Sequence, residues 1–188
     1  MKSQLWQNLE DQAHWILEHA DQSPPKELLR GMALHLRLWN YTESGSHTSW
    51  SLILPVREYR ERRAVVRELR WDRAADWKQT MTLQKTLKRR PLPSPSIQLR
   101  DAEADWAELV PFLDTAGGLP VLALGKDPAL PSKGDTSGFE GFRPLAHLRL
   151  EWAGKGPRGW GETVVWFSRF RNLFVRILKE RDTEPRNE

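Results

Sequence analysis

His14, His19, His35, His47 and His147 are the residues to test first for chemistry. Imidazole changes charge near neutral pH and ligates metals. None of them stands in H-x-x-x-H or H-E-x-x-H spacing, so the sequence offers no basis for a helical zinc site. His35 and His147 fall on the polar side of two alternating segments, each followed two residues later by an arginine, Arg37 and Arg149. If those segments were neighbouring strands, the four side chains would share one face and form a candidate catalytic cluster. No nucleophile accompanies them, so a solvated sheet face is the plainer expectation.

Other motifs carry less. Gly154-Lys155-Gly156-Pro157-Arg158-Gly159 matches G-x-G-x-x-G between a strand and a helix. A dinucleotide site needs a further parallel strand with an acid for the ribose, and here the chain ends first. The expected role is a glycine-rich turn that lets Trp152 and Trp160 pack, with Lys155 and Arg158 as a lesser anion-holding alternative. Asp135 and Glu140 lack the spacing of a calcium loop. The chain has no cysteine, which excludes disulfides, thiolate catalysis and cysteine-ligated metals. No cofactor or metal is expected.

Charge is mildly basic, +4 from 29 basic and 25 acidic residues. Distribution matters more than the total. Arg57, Arg60, Arg62 and Arg63 are interrupted by Glu58 and Glu61. Lys85, Lys88, Arg89 and Arg90 close a predicted helix, where basic residues also complement the dipole. Arg169, Arg176 and Lys179 share the polar side of the last helix. Lys85, Lys88, Arg89, Arg90, Arg169 and Arg176 are therefore the candidate nucleic-acid contacts.

Ten tryptophans are spread along the chain. Trp brings a large apolar surface and an N–H that needs a partner when buried, and exposed Trp often anchors a protein contact. Trp15 points about 140° away from the apolar stripe of its helix at 100° per residue. Trp15, Trp39 and Trp160 are the candidate partner-binding residues.

The elements that must position these groups follow from periodicity. Leu5, Leu9, Ala13, Ile16, Leu17 and Ala20 predict a helix over 4–21. Ser23-Pro24-Pro25 breaks it, and a short helical turn is expected at 26–30. Met32, Leu34, Leu36 and Leu38 alternate with Ala33, His35, Arg37 and Trp39. Runs at 49–56 and 65–71 follow after short turns, which predicts antiparallel strands. Asp72 caps a predicted helix to about residue 90, and Pro91, Pro93 and Pro95 make a stiff linker. A short strand at 97–99, a helix capped by Asp101 and running to about 115, and a buried strand at 119–124 come next. Residues 125–144 read as one long loop. Ala146, Leu148, Leu150 and Trp152 alternate with His147, Arg149 and Glu151 in a last strand. A final helix from Trp160 to about Arg181 carries Trp166, Phe167, Phe170, Leu173, Phe174, Ile177 and Leu178 as its apolar stripe. The closing strand, turn and helix, with Trp152, Pro157 and Trp160 about the turn, are similar in style to the ends of small bacterial toxin-immunity and defence-accessory domains. The likeness implies no site.

The expected fold is α+β, an antiparallel sheet of about 4–6 strands packed on one face against the N- and C-terminal helices. One domain is expected over 1–182 with a polar tail at 183–188. No apolar run is long enough to span a membrane, and no secretory signal is evident, so a cytoplasmic protein is expected. The expected function is a non-enzymatic protein-binding module, an inhibitor, immunity-type protein or accessory subunit of a bacterial assembly. The alternative is a nucleic-acid-binding accessory protein.

Overall fold

The structure is a computed structural model and describes residues 4–22, 29, 31–43, 45–55, 63–86, 94–119, 134–143, 146–157 and 159–183. Helix α1 (Gln4–Glu18) leads through a 3-10 turn (Ala20–Gln22) to three antiparallel strands, β1 (Met32–Tyr41), β2 (Ser46–Pro55) and β3 (Arg63–Asp72). Helix α2 (Arg73–Thr86) follows, then β4 (Ile97–Asp105) and α3 (Trp106–Gly118). The hairpin of β5 (Thr136–Arg143) and β6 (Ala146–Ala153) precedes the long helix α4 (Gly161–Thr183). All six strands form one antiparallel sheet in the order β4-β3-β2-β1-β5-β6. The fold is α+β, as the patterning predicts. Among the described residues no helix is long and apolar enough to cross a membrane.

The terminal helices do not share a face of the sheet. On β3, Ala64 and Val66 pack with Phe170 and Phe174 of α4, whereas Leu69 and Trp71 pack with Trp6, Leu9 and Leu17 of α1. Adjacent side chains of a strand point to opposite faces. Helices α1 and α2 therefore cover one face, and α3 and α4 the other. The physical reason lies in β3 itself, which is apolar on both sides and must be covered twice.

Three further local expectations are corrected. Asp101 does not cap a helix. It lies within β4, where its carboxylate takes both ends of the buried Arg67 guanidinium, Nε at 2.7 Å and Nη2 at 2.8 Å. Ala102 and Ala104 then enter the core against α4, and Asp105 becomes the cap, accepting from the Ala107 amide at 2.9 Å. Tertiary pairing overrides the local helix signal. The expected loop at 125–144 contains β5. The period of β1 also breaks, because a bulge between Leu34 and Leu36 leaves His35 as the extra residue. Leu34 consequently packs with Ile53 and Val65 on the α1 face, while Leu36 joins the core under α4. The expected helical turn at 26–30, apart from buried Leu29, and the expected strand at 119–124, apart from Leu119, lie outside the described residues.

The C-terminal stripe behaves as its periodicity requires. Its seven apolar residues are all buried, and Phe167, Trp152, Phe139, Trp166 and Phe170 form a chain of ring contacts at 4.9–6.5 Å. The glycine-rich turn after β6 lets Trp152 meet Trp160 edge-on at 6.1 Å. Gly156 there has φ +82°, a left-handed conformation suited to glycine.

Candidate functional site

The α1 face of β1, β5 and β6 carries a run of charged and aromatic groups. Alternation sets Arg37, Trp39 and Tyr41 on this face of β1. The registers Arg37↔Glu140 and Glu140↔Arg149 place β5 and β6 partners beside them. Arg37 is 1% exposed, and its Nε and Nη2 both donate to Glu140 Oε2, at 3.1 and 2.6 Å. His147 Nε2 bonds the other carboxylate oxygen, Oε1, and its ring stacks on Phe142 at 5.2 Å. Glu18, from the last turn of α1, lies 3.7 Å from Arg37 Nη2 and 3.4 Å from Arg149 Nη1. Arg149 also reaches Glu151 at 3.3 Å. Burial raises the proton affinity of Glu140, but Arg37 and the His147 contact outweigh it and hold the carboxyl below its usual range.

Both guanidiniums lie over the Trp39 ring, Arg37 at 4.6 Å and Arg149 at 5.0 Å from its centre. Such contacts join charge to an aromatic face. Trp39 can lie this close to β5 only because residue 138 is glycine. A Cβ there would fall 2.3 Å from Trp39 Cζ2 and 2.5 Å from the Leu150 carbonyl oxygen. The second contact is with backbone and cannot rotate away. Gly138→Ala should therefore cost about 1–3 kcal/mol, the usual range for overpacking. A urea melt checks this, and an unchanged midpoint would show that Trp39 is not held against β5.

A second cluster adjoins the first. The Tyr41 and His47 rings stack at 4.7 Å, and His14 of α1 approaches His47 at 5.1 Å and Tyr41 at 5.2 Å. Trp71 meets His47 edge-on at 5.2 Å. Burial, helped by His14 and Arg73, pushes His47 down to about 4, and burial also lowers His14. Burial pushes the Tyr41 phenol up. Arg73 of α2 closes this side, with two donors on Glu10 Oε1 at 3.0 and 2.8 Å.

Two clefts open on these groups, one on each side of the Glu18–Arg149 pair. The first, about 420 Å³, is lined by Glu18, His19, Asp21, Arg37, Glu140 and Phe142, among others. The second, about 600 Å³, includes Glu10, His14, Tyr41, His47, Arg73 and Glu151. Trp15 is half exposed and stacks on His19 at 4.8 Å, so it stands beside the first cleft.

The residues singled out from sequence separate as follows. Arg37, His147 and Arg149 do come together, through Glu140 and Glu18, whereas His35 sits on the bulge. Trp15 is exposed. Trp39 is fully buried, which corrects its assignment as an exposed anchor, because both arginines and β5 cover it. Trp160 is half buried against the core. Arg176 is paired with Glu108 at 3.2 Å, and Arg169 lines an apolar groove between α3 and α4 with Phe112 and Trp166. Lys85 lies in α2, though its side chain is outside the described residues. Lys88, Arg89 and Arg90 lie outside them, as do Arg57, Arg60, Arg62 and Arg158. Among the described residues no group of three or more His, Asp or Glu side chains is placed to hold a metal ion.

Glu140, Glu18 and the His14–His47–Tyr41 stack are the residues that sequence reasoning missed. Glu140 lay in a segment whose glycines read as loop, and its only signal was a lone acid facing two arginines across the fold. Chemically, three donors occupy the two oxygens of Glu140 and stabilise its ionised form. Such a carboxylate is a poor proton acceptor and a good tie between β1, β5 and β6. Comparison with protein-family models, with curated proteins and with solved structures finds no match.

Proposed function

We propose that this chain is a non-enzymatic protein-binding module of the inhibitor, immunity-type or accessory-subunit kind, with its contact surface centred on Trp15. The observation that carries this reading is the half-exposed Trp15 ring, stacked on His19 at the rim of the charged cleft. A large exposed aromatic group beside a cleft lined by arginines and carboxylates has the composition of an interface hot spot with a polar rim. The Glu140 group supports the same reading, since its hydrogen bonds fix the cleft wall rather than leave a base free to react.

A photo-crosslinking amino acid at the exposed position Gln12, one helical turn from Trp15, tests it in cells. A discrete, nuclease-resistant protein adduct is expected, and Trp15→Ala should abolish it. The same probe at Val165, exposed on α4 across the sheet, should give no such adduct. Equal adducts from both positions, or a nucleic-acid adduct, would overturn the reading. Trp15→Ala should lower the melting temperature by no more than about 3 °C, the scale of a surface change in a chain of this size. A larger fall would mean that the ring serves the fold.

A further inference from the structure

The two edges of the sheet are treated differently. On β4, Arg181 of α4 donates to the Asp101 carbonyl, and Arg100 reaches the Leu178 carbonyl at 3.1 Å and Asp182. The last turns of α4 thus guard that edge. On β6, no described element pairs with the outer side. This strand spans eight residues in unbroken register with β5; it carries Arg149 and Glu151 but no proline, lysine or bulge, three of the devices that blunt an exposed edge.

Backbone geometry shows which groups point outward. The Gly154 amide donates to the Asp135 carbonyl at 3.1 Å, in line with the β5–β6 register. Hydrogen-bonded pairs alternate along an antiparallel ladder. Residues 148, 150 and 152 therefore turn their amides and carbonyls toward β5, and 147, 149 and 151 turn theirs to the open side.

We propose that a second copy of this chain docks here, β6 against β6 in antiparallel register, about a two-fold axis at Leu150. In this register Arg149 stands opposite Glu151 of the second copy, and Glu151 opposite its Arg149. The outward amides and carbonyls of both residues then form backbone hydrogen bonds. Charge complementarity selects this register. Moving the axis to Arg149 would set the two arginines face to face, a costly pairing of like charges. The register also sets Leu148, which is 39% exposed on the α4 face, opposite the second copy's Trp152. A strand edge pairing with itself is self-complementary, as a two-fold interface requires.

Sedimentation equilibrium on the full chain, with hydrogen exchange at single-amide resolution, tests the proposal. At tens of micromolar the wild type should show twice the 21.9 kDa chain mass, with the amides of 149 and 151 protected at least tenfold beyond those of the monomer. Glu151→Arg should give a monomer in which 149 and 151 exchange freely while 148 and 150 stay protected by β5, which also shows that the hairpin is intact. The swap R149E/E151R should restore the dimer. A wild-type monomer would overturn the proposal, and so would a dimer that Glu151→Arg leaves whole. Protection of 149 and 151 at monomer mass would overturn it too, by showing that the chain covers its own edge. None of these readouts depends on Trp15.

Discussion

Asp101→Ala should destabilise the protein by about 3–5 kcal/mol, the usual cost of removing one partner from a buried ion pair. Arg67 is fully buried, and its guanidinium bonds Asp101 of β4 through two nitrogens and the Ala20 carbonyl through a third, at 2.8 Å. One side chain thus ties β3, β4 and the turn after α1. Without the carboxylate, a positive charge remains in a site closed to water. The double variant R67M/D101A removes the charge as well and should be more stable than D101A alone. Urea unfolding followed by tryptophan fluorescence measures both. A cost below about 1 kcal/mol for D101A, or strict additivity in the pair, would show that water reaches this site.

Acid should weaken the fold well above the range in which its carboxylates titrate. His47 is buried among Tyr41, Trp71 and His14, with Arg73 and Glu10 nearby, and its pKa falls to about 4 from an ordinary 6.5. The folded form therefore binds a proton less readily than the unfolded chain. The stability contributed by neutral His47 is complete above pH 6.5 and declines as pH falls toward 4. The full loss is about 3 kcal/mol at 1.36 kcal/mol per unit. His14 acts in the same direction. Glu140, whose pKa is lowered, contributes stability that is lost only as pH falls below 4.5, so most of the His47 loss comes before it. His47→Phe should flatten the curve between pH 6.5 and 4 and leave the lower limb in place. An identical slope in wild type and variant would assign the loss to other groups.

Legibility from sequence followed from whether a segment buries one face or two. Strand β6 and helix α4 each turn one apolar side inward, and periodicity located Trp152, Leu150 and the stripe of α4 in the core, although Leu148 on the same side of β6 stays exposed. Strand β3 buries both, so its pattern could not say that α1 and α4 lie on opposite sides. Strand β5 was hidden by Gly138 and Gly141. Glycine there answers the width of the Trp39 ring on a neighbouring strand, which no local pattern encodes. Asp101 was misplaced for a related reason. An aspartate before an alanine-rich stretch resembles a helix cap, and only the arginine across the sheet makes it a strand residue. The candidate site combined both problems. Arg37, His147 and Arg149 were visible as polar strand positions, while the carboxylates joining them came from a helix end and an unrecognised strand.

The place of β1 in the sheet governs how the chain can be made. Strands β1 to β4 and helix α1 are complete once residue 105 has left the ribosome, and they can pair in the order in which they emerge. The other side of β1 belongs to β5, and the Arg37–Glu140 link spans 103 residues of sequence. Throughout that interval the nascent chain carries an open strand flank and an arginine that has Glu18 within reach but not yet Glu140. Closing such a distant contact is slow relative to forming a local hairpin. Synthesis of this protein therefore passes through a four-stranded partial sheet whose exposed side is open to chaperones, and to mispairing with other newly made chains, until its last third arrives.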